Sequence, residues 1–342
     1  MKAFNYFKFL KFSIVVLGSL TIASYVRSQE TEGKVVVEIL PHSDAIVSIP
    51  FLRTAVVESS VVSIEEDMLT LAEGVLEDRA FNQSSGISRF GLFVESGEFQ
   101  GRHFDIVSND SSGIVLANFG DVDLLAGDLV SVRPYWTLGS AFFEGGGMLP
   151  TDEIGRRSIE LILIESGAGA GLSAKRVYYY YNGGWRKLGR CPKFKYDSVV
   201  LETGSAFVLR NNNPISELAE FSGEEAEFPL AEELFVSIDS PIDNFTNSSR
   251  GVDVPLASLG LDENIFRETL DPEFPLDLVL VYDNEIAGKN KRPSSSYYYF
   301  NDGWRKIGED VSVNFGTDLI RSGSGFAVRK ATGESGYLLW SR

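Results

Sequence analysis

Aromatic rings and cations occur together twice in this chain, and that pairing is the most visible chemistry its residues offer. Tyr178, Tyr180, Trp185, Arg186 and Lys187 lie in Tyr178–Gly189, and Tyr297, Tyr299, Trp304, Arg305 and Lys306 lie in Tyr297–Gly308. The two segments are 119 residues apart and identical at nine of twelve positions. A ring face stacks on a sugar and a neighbouring cation holds an anion, so these ten residues form a candidate surface for a glycan or an anionic polymer. Lys175 to Lys195 carries seven basic residues and no acid, while Lys289 to Lys306 carries five with Asp302 as the one acid. The plainer alternative is that the rings fill cores and the cations neutralise acidic stretches elsewhere.

Other chemistries find less support. His42 and His103 are the only histidines and stand far apart, with no metal-ligand spacing around them. No nucleophile elbow, phosphate loop or dinucleotide fingerprint appears in context, so no catalytic residue, metal or cofactor is assigned. Asp121, Asp123 and Asp128 resemble a calcium loop only superficially, because Leu124 and Leu125 occupy places that need oxygen ligands. Paired carboxylates are the competing enzymatic reading. A secreted carbohydrate-active enzyme needs only two acids about 5–10 Å apart, and 48 acids do not single out a pair. Asn82, Asn109, Asn244 and Asn247 each begin an Asn-x-Ser/Thr triplet, which could carry a glycan in a eukaryotic host. Cys191, the single cysteine, reads as a small buried hydrophobe.

The elements that must position these residues read as β-strands throughout. The shared offset extends to Gly204–Arg210 and Gly323–Arg329, which predicts a duplicated β-unit. Ser158–Ile164 is matched to Asp277–Asp283, and Trp136–Gly139 to Val254–Ala257 after a one-residue slip. Asn182-Gly183-Gly184 and Asn301-Asp302-Gly303 suggest three-residue hairpin loops with Gly184 and Gly303 left-handed. Tyr179 and Tyr181 are expected on a buried face, with Tyr178 and Tyr180 on the more exposed one. Before these, Gly33–Leu40, Ala45–Ile49, Val56–Glu58, Val61–Ile64, Met68–Leu71, Phe90–Glu95, Phe104–Ser108, Ile114–Asn118 and Leu129–Arg133 read as short strands. Their spacing predicts a small barrel or sandwich, with helical character only at Glu73–Phe81. The expected organisation is an N-terminal β-domain over 33–133, repeats over 134–213 and 251–330, an acidic spacer at 214–250 and a tail at 331–342. Within 211–249, the first part reads as solvated linker and Leu234–Ile238 as a strand of the second repeat.

Residues 1–28 read as a cleaved export signal: Lys2, Lys8 and Lys11 precede an apolar run from Phe12 to about Ala23, and no acid appears before Glu30. Its removal leaves 27 basic against 48 acidic groups, a net charge of −21. Such a surface repels nucleic acid and anionic lipid. No later segment is apolar enough to span a membrane as a helix. The ring-and-cation segments on an exported chain make a polysaccharide or another envelope component the expected partner.

The tyrosine run with Asn-x-Gly-Trp-Arg, the Gly-x-Gly-Phe-x-Val-Arg strand, Pro134–Gly139 and Val281–Lys291 resemble an uncharacterised family of exported bacterial proteins. The first copy departs from that pattern at Ser205-Ala206, where the second has Ser324-Gly325. The resemblance covers most of the mature chain and implies export and a shared architecture. It brings no activity, cofactor or catalytic residue.

Overall fold

Alternating apolar residues close the N-terminal strands into a barrel. The computed structural model describes residues 32–65, 68–72, 76–84, 86–117, 124–142, 145–167, 169–171, 174–333 and 335–342. The expected export signal and Asp121–Asp123 lie outside these residues. Strands β3 (Val57–Glu65), β4 (Met68–Leu71), β5 (Phe90–Val94), β6 (His103–Asn109), β7 (Gly113–Leu116) and β8 (Leu129–Pro134) form a closed barrel in the order β3-β4-β7-β6-β5-β8. Leu69, Leu92, Ile106, Ile114 and Val132 fill it, and closure leaves no exposed sheet edge. The described part of the expected helix, 76–81, is not helical: 76–77 are irregular and 78–81 are turn.

Two earlier strands form where expected but pair outside the barrel. Strand β1 (Glu32–Ile39) pairs with β13 (Glu217–Glu224), and β2 (Asp44–Ser48) pairs with β12 (Ala206–Asn211). The chain therefore enters one sheet, leaves to build the barrel, and returns to that sheet. Much of the expected spacer is likewise strand: Ala219 and Phe221 of β13 point inward beside exposed Glu220. Period-two burial is preserved there, although acids mask it in the composition. The expected tail pairs too, as β22 (Gly336–Ser341) against β14 (Ala231–Val236).

Two five-stranded sheets carry the ring-rich hairpins. The first runs β11-β10-β9-β12-β2, with β9 at Ile159–Ile164, β10 at Ala174–Tyr180 and β11 at Trp185–Lys187. The second runs β15-β21-β17-β18-β19, with β15 at Ile242–Thr246, β17 at Leu278–Val281, β18 at Ser295–Tyr299, β19 at Trp304–Lys306 and β21 at Phe326–Lys330. Read from the hairpin end, the two orders coincide. Registers coincide as well: Tyr178 opposes Leu161 as Tyr297 opposes Val279, and Arg210 opposes Asp44 as Arg329 opposes Asp243. These pairings put Leu161 opposite Val279 in the comparison, so the offset is 118 before β10 and 119 after it. The strand match made from sequence was thus one residue out, because the β9–β10 loop absorbs the difference. The slip seen at Trp136 fits the same offset. Leu138 opens a short helix, α1 (Leu138–Ala141), with a Thr137/Ser140 capping box, and Leu256 opens a 3-10 turn at the corresponding place.

Each sheet has one face over its own ribbon and one face toward the other sheet. Val47, Leu161, Tyr178, Trp185, Phe207 and Leu209 share a core with β1 and β13. Leu234, Val279, Tyr297, Trp304, Phe326, Val328 and Trp340 form its counterpart. Ile46, Ile162 and Val208 then meet Phe245, Leu280 and Ala327 between the sheets.

The junction between the sheets is reciprocal. The Ile46 N–H donates to Asn284 Oδ1 at 2.9 Å, and the Phe245 N–H donates to Ser166 Oγ at 2.9 Å. Asp44 N–H donates to the Gly288 carbonyl, and Asp243 N–H to that of Gly169. The Asp44 carboxylate takes the Asn290 N–H and Arg210, while the Asp243 carboxylate takes the Gly171 N–H and Arg329. The Gly167–Gly171 loop is therefore a clasp whose glycines let backbone approach Asp243. At the centre, corresponding residues touch: a Cβ at Gly325 would lie 2.3 Å from Ala206 Cβ. Two methyl groups cannot share that space, so Ala206 in the first sheet faces glycine in the second.

Candidate functional site

The hairpins that held the candidate surface are built as two-residue turns. Asn182 and Gly183 have φ of 47° and 65°, and Asn301 and Asp302 have 47° and 55°. Positive φ at both central residues defines a type I′ turn, which matches strand twist. Gly184 and Gly303 are not left-handed, contrary to the three-residue reading. Crowding explains them: a Cβ at Gly303 would sit 2.5 Å from Arg305 Nη1, and at Gly184 2.9 Å from Arg186 Nη1.

Those guanidinium groups fasten the turns. Arg186 Nη2 donates to the Asn182 carbonyl and Arg305 Nη2 to that of Asn301, both at 3.2 Å. Both arginines are buried. Trp185 and Trp304 are 1% and 5% exposed, and Tyr178 and Tyr297 are also buried. Tyr180 packs edge-on against Trp185 and Tyr299 against Trp304. The Tyr297 hydroxyl donates to Asp318 at 2.7 Å, and burial followed by that bond pushes its pKa up to about 12. Lys306 lies 5.6 Å from the Tyr297 ring centre. Tyr180, Tyr299, Lys187 and Lys306 are only half-buried. The candidate surface is therefore mostly core. Tyr178 and Tyr179 are both buried because the sheet is covered on both faces, so the expected exposed face does not form.

What the hairpins leave exposed is the loop that follows each one. After β11, Arg190, Lys193, Phe194 and Lys195 face solvent, with Phe194 64% exposed and Lys187 half-buried beside them. Lys195 Nζ reaches back to the Gly183 carbonyl at 2.6 Å. Cys191 is exposed in this loop rather than buried. The charge of this window is legible in the sequence; of its rings, Phe194 is exposed while Tyr178 and Trp185 are buried. After β19, Pro272, Glu273, Ile307, Glu309 and Val311 line an open groove of about 290 Å³, with Lys306 and Tyr298 at its base. Among the described residues no group of three or more His, Cys, Asp or Glu could hold a metal. No helix among them is long and apolar enough to cross a membrane.

His103 does not act at either hairpin. It opens β6 and stacks on Phe93 at 5.2 Å, with Nδ1 shielded and without a partner among the described residues. Burial lowers its pKa from 6.5 to about 4. The unfolded chain therefore takes up a proton below pH 6.5 that the folded protein refuses until about pH 4. Stability should be full above pH 6.5 and fall by about 2 kcal/mol on the way to pH 4, after allowance for partial exposure of the ring. Denaturant midpoints across that range should show a slope that His103→Leu removes. Three of the Asn-x-Ser/Thr asparagines, Asn109, Asn244 and Asn247, are buried, and Asn109 and Asn244 spend their amide nitrogens on carbonyls.

No family model, curated protein or solved structure matches this chain.

Proposed function

We propose that this is an exported, non-enzymatic protein of the cell envelope or extracellular space that binds an anionic partner, such as a glycan or other anionic polymer. The contact is the loop after the first hairpin. One observation carries this reading: Phe194 stands exposed among Lys187, Arg190, Lys193 and Lys195, with no acid in that window, in a chain of net charge −17. Attraction there runs against the global charge and is local and steering in character. Export rests on the basic and apolar N-terminal pattern and on the family resemblance. The two sheets are read as copies of one ancestral unit, a reading supported by their shared strand order, their registers and the repeated sequence.

Retention of residues 29–342 on dextran sulfate tests the contact. Arg190→Glu with Lys193→Glu should cut retention at least about tenfold, the loss of about 1.4 kcal/mol. Unchanged retention of a folded double variant rejects this loop.

The second reading, a secreted carbohydrate-active enzyme, has one observation in its favour: Glu273 and Glu309 line the same groove. It requires release of reducing ends from a polysaccharide that Glu273→Gln and Glu309→Gln each abolish.

A further inference from the structure

We infer that the anionic partner of the first hairpin loop is the second hairpin end of another copy of this chain. The inference rests on the reading of the first loop as the binder of negative charge. Residues 187–195 and 306–314 occupy corresponding places after β11 and β19, yet their charges are opposed. The first window holds Lys187, Arg190, Lys193 and Lys195; the second holds Lys306 against Glu309 and Asp310. Arg190 corresponds to Glu309, and Glu273 adds a further carboxylate to the second groove.

Apolar groups stand beside both sets of charges. Leu188 and Phe194 are exposed in the first loop. Leu270 and Phe274, in the chain segment that supplies Glu273, are 88% and 72% exposed, and Ile307 and Val311 are exposed beside them. Exposed apolar residues clustered this way mark an interaction surface, and the opposed charges select what covers each one.

Topology leaves these ends available. Strands β2 and β15 join the sheets, while β11 and β19 lie at the opposite ends of the strand orders. Contact between a first end and a second end on different molecules is heterologous, so it propagates head to tail rather than closing as a symmetric pair.

Sedimentation velocity of residues 29–342 from about 1 to about 100 µM tests this. The wild type should sediment faster as concentration rises, and about 0.5 M salt should suppress the effect. Arg190→Glu/Lys193→Glu and, separately, Glu273→Lys/Glu309→Lys should each stay monomeric at concentrations about tenfold above the wild-type midpoint. Mixing the two variants should restore a complex, because the intact acidic end of one meets the intact basic end of the other. A wild type that stays monomeric throughout overturns the inference, as does association unchanged in folded variants. If the wild type is monomeric but held on dextran sulfate through Arg190 and Lys193, self-association fails and the anionic-partner reading stands. Loss of both removes the reading as well.

Discussion

Asp277→Ala should destabilise the protein by about 3–5 kcal/mol, because it strands a buried cation. The Asp277 carboxylate is fully buried and pairs with Lys330 Nζ, itself buried. It also accepts the Arg267 and Ala331 N–H groups, each at 2.8 Å. Burial already lowers the pKa of Lys330, with Asp277 opposing that shift, so losing the carboxylate removes the main support for the charge. The first sheet solves the same position without charge. Ile159 corresponds to Asp277, and Asn211 corresponds to Lys330, donating to the carbonyls of Ile39, Leu40 and Ile215. Urea unfolding at neutral pH measures the cost. A loss below about 1 kcal/mol, the ordinary scale of an exposed pair, would contradict the buried placement.

Trp185→Ala and Trp304→Ala should each cost about 3–5 kcal/mol through the cavity left behind. Trp185 packs against Phe142 and Tyr180, and Trp304 against Phe266 and Tyr299. The same residues should be dispensable for binding. Trp185→Phe removes a buried indole N–H that has no partner among the described residues and should keep both the fold and retention on dextran sulfate. If Trp185→Phe melts like wild type yet loses retention, the indole is a contact after all.

Much of this fold was legible because short strands separated by turn residues have few alternative readings. Every segment expected as strand before residue 134 contains strand, although Val56–Glu58 and Val61–Ile64 merge into β3 and the first two strands pair outside the barrel. Their partners were not legible. Nothing in Val35, Val37 or Ile46 says that they bury against Phe221 or Phe245 far along the chain, since pairing is non-local. The acids of Glu217–Glu224 hid a period-two strand, because Glu217 lies on the buried face and Leu218 on the exposed one. The ring surface failed for a related reason. A sheet covered on both faces needs aromatic residues at consecutive positions, and Tyr178-Tyr179 was read as if one face met water. Cations survive such errors better than rings do. Arg190 and Lys193 are exposed and pair with no buried acid among the described residues, so burial of Trp185 leaves their charge at the surface.

The meeting of Ala206 with Gly325 is where the account is most exposed to test. Gly325→Ala places a second methyl on the junction of the sheets and should cost about 1–3 kcal/mol by overpacking. Adding Ala206→Gly to that variant should recover the part of the loss that the two methyls cause, leaving only the contact of the new Cβ with Ile46 Cγ2 at 2.9 Å. Denaturant unfolding of the wild type, both single variants and the exchanged pair reads this directly. Recovery in the exchanged pair is the predicted result. A pair as unstable as the summed single variants would mean that these positions do not face each other, and that the sheets are not joined as described.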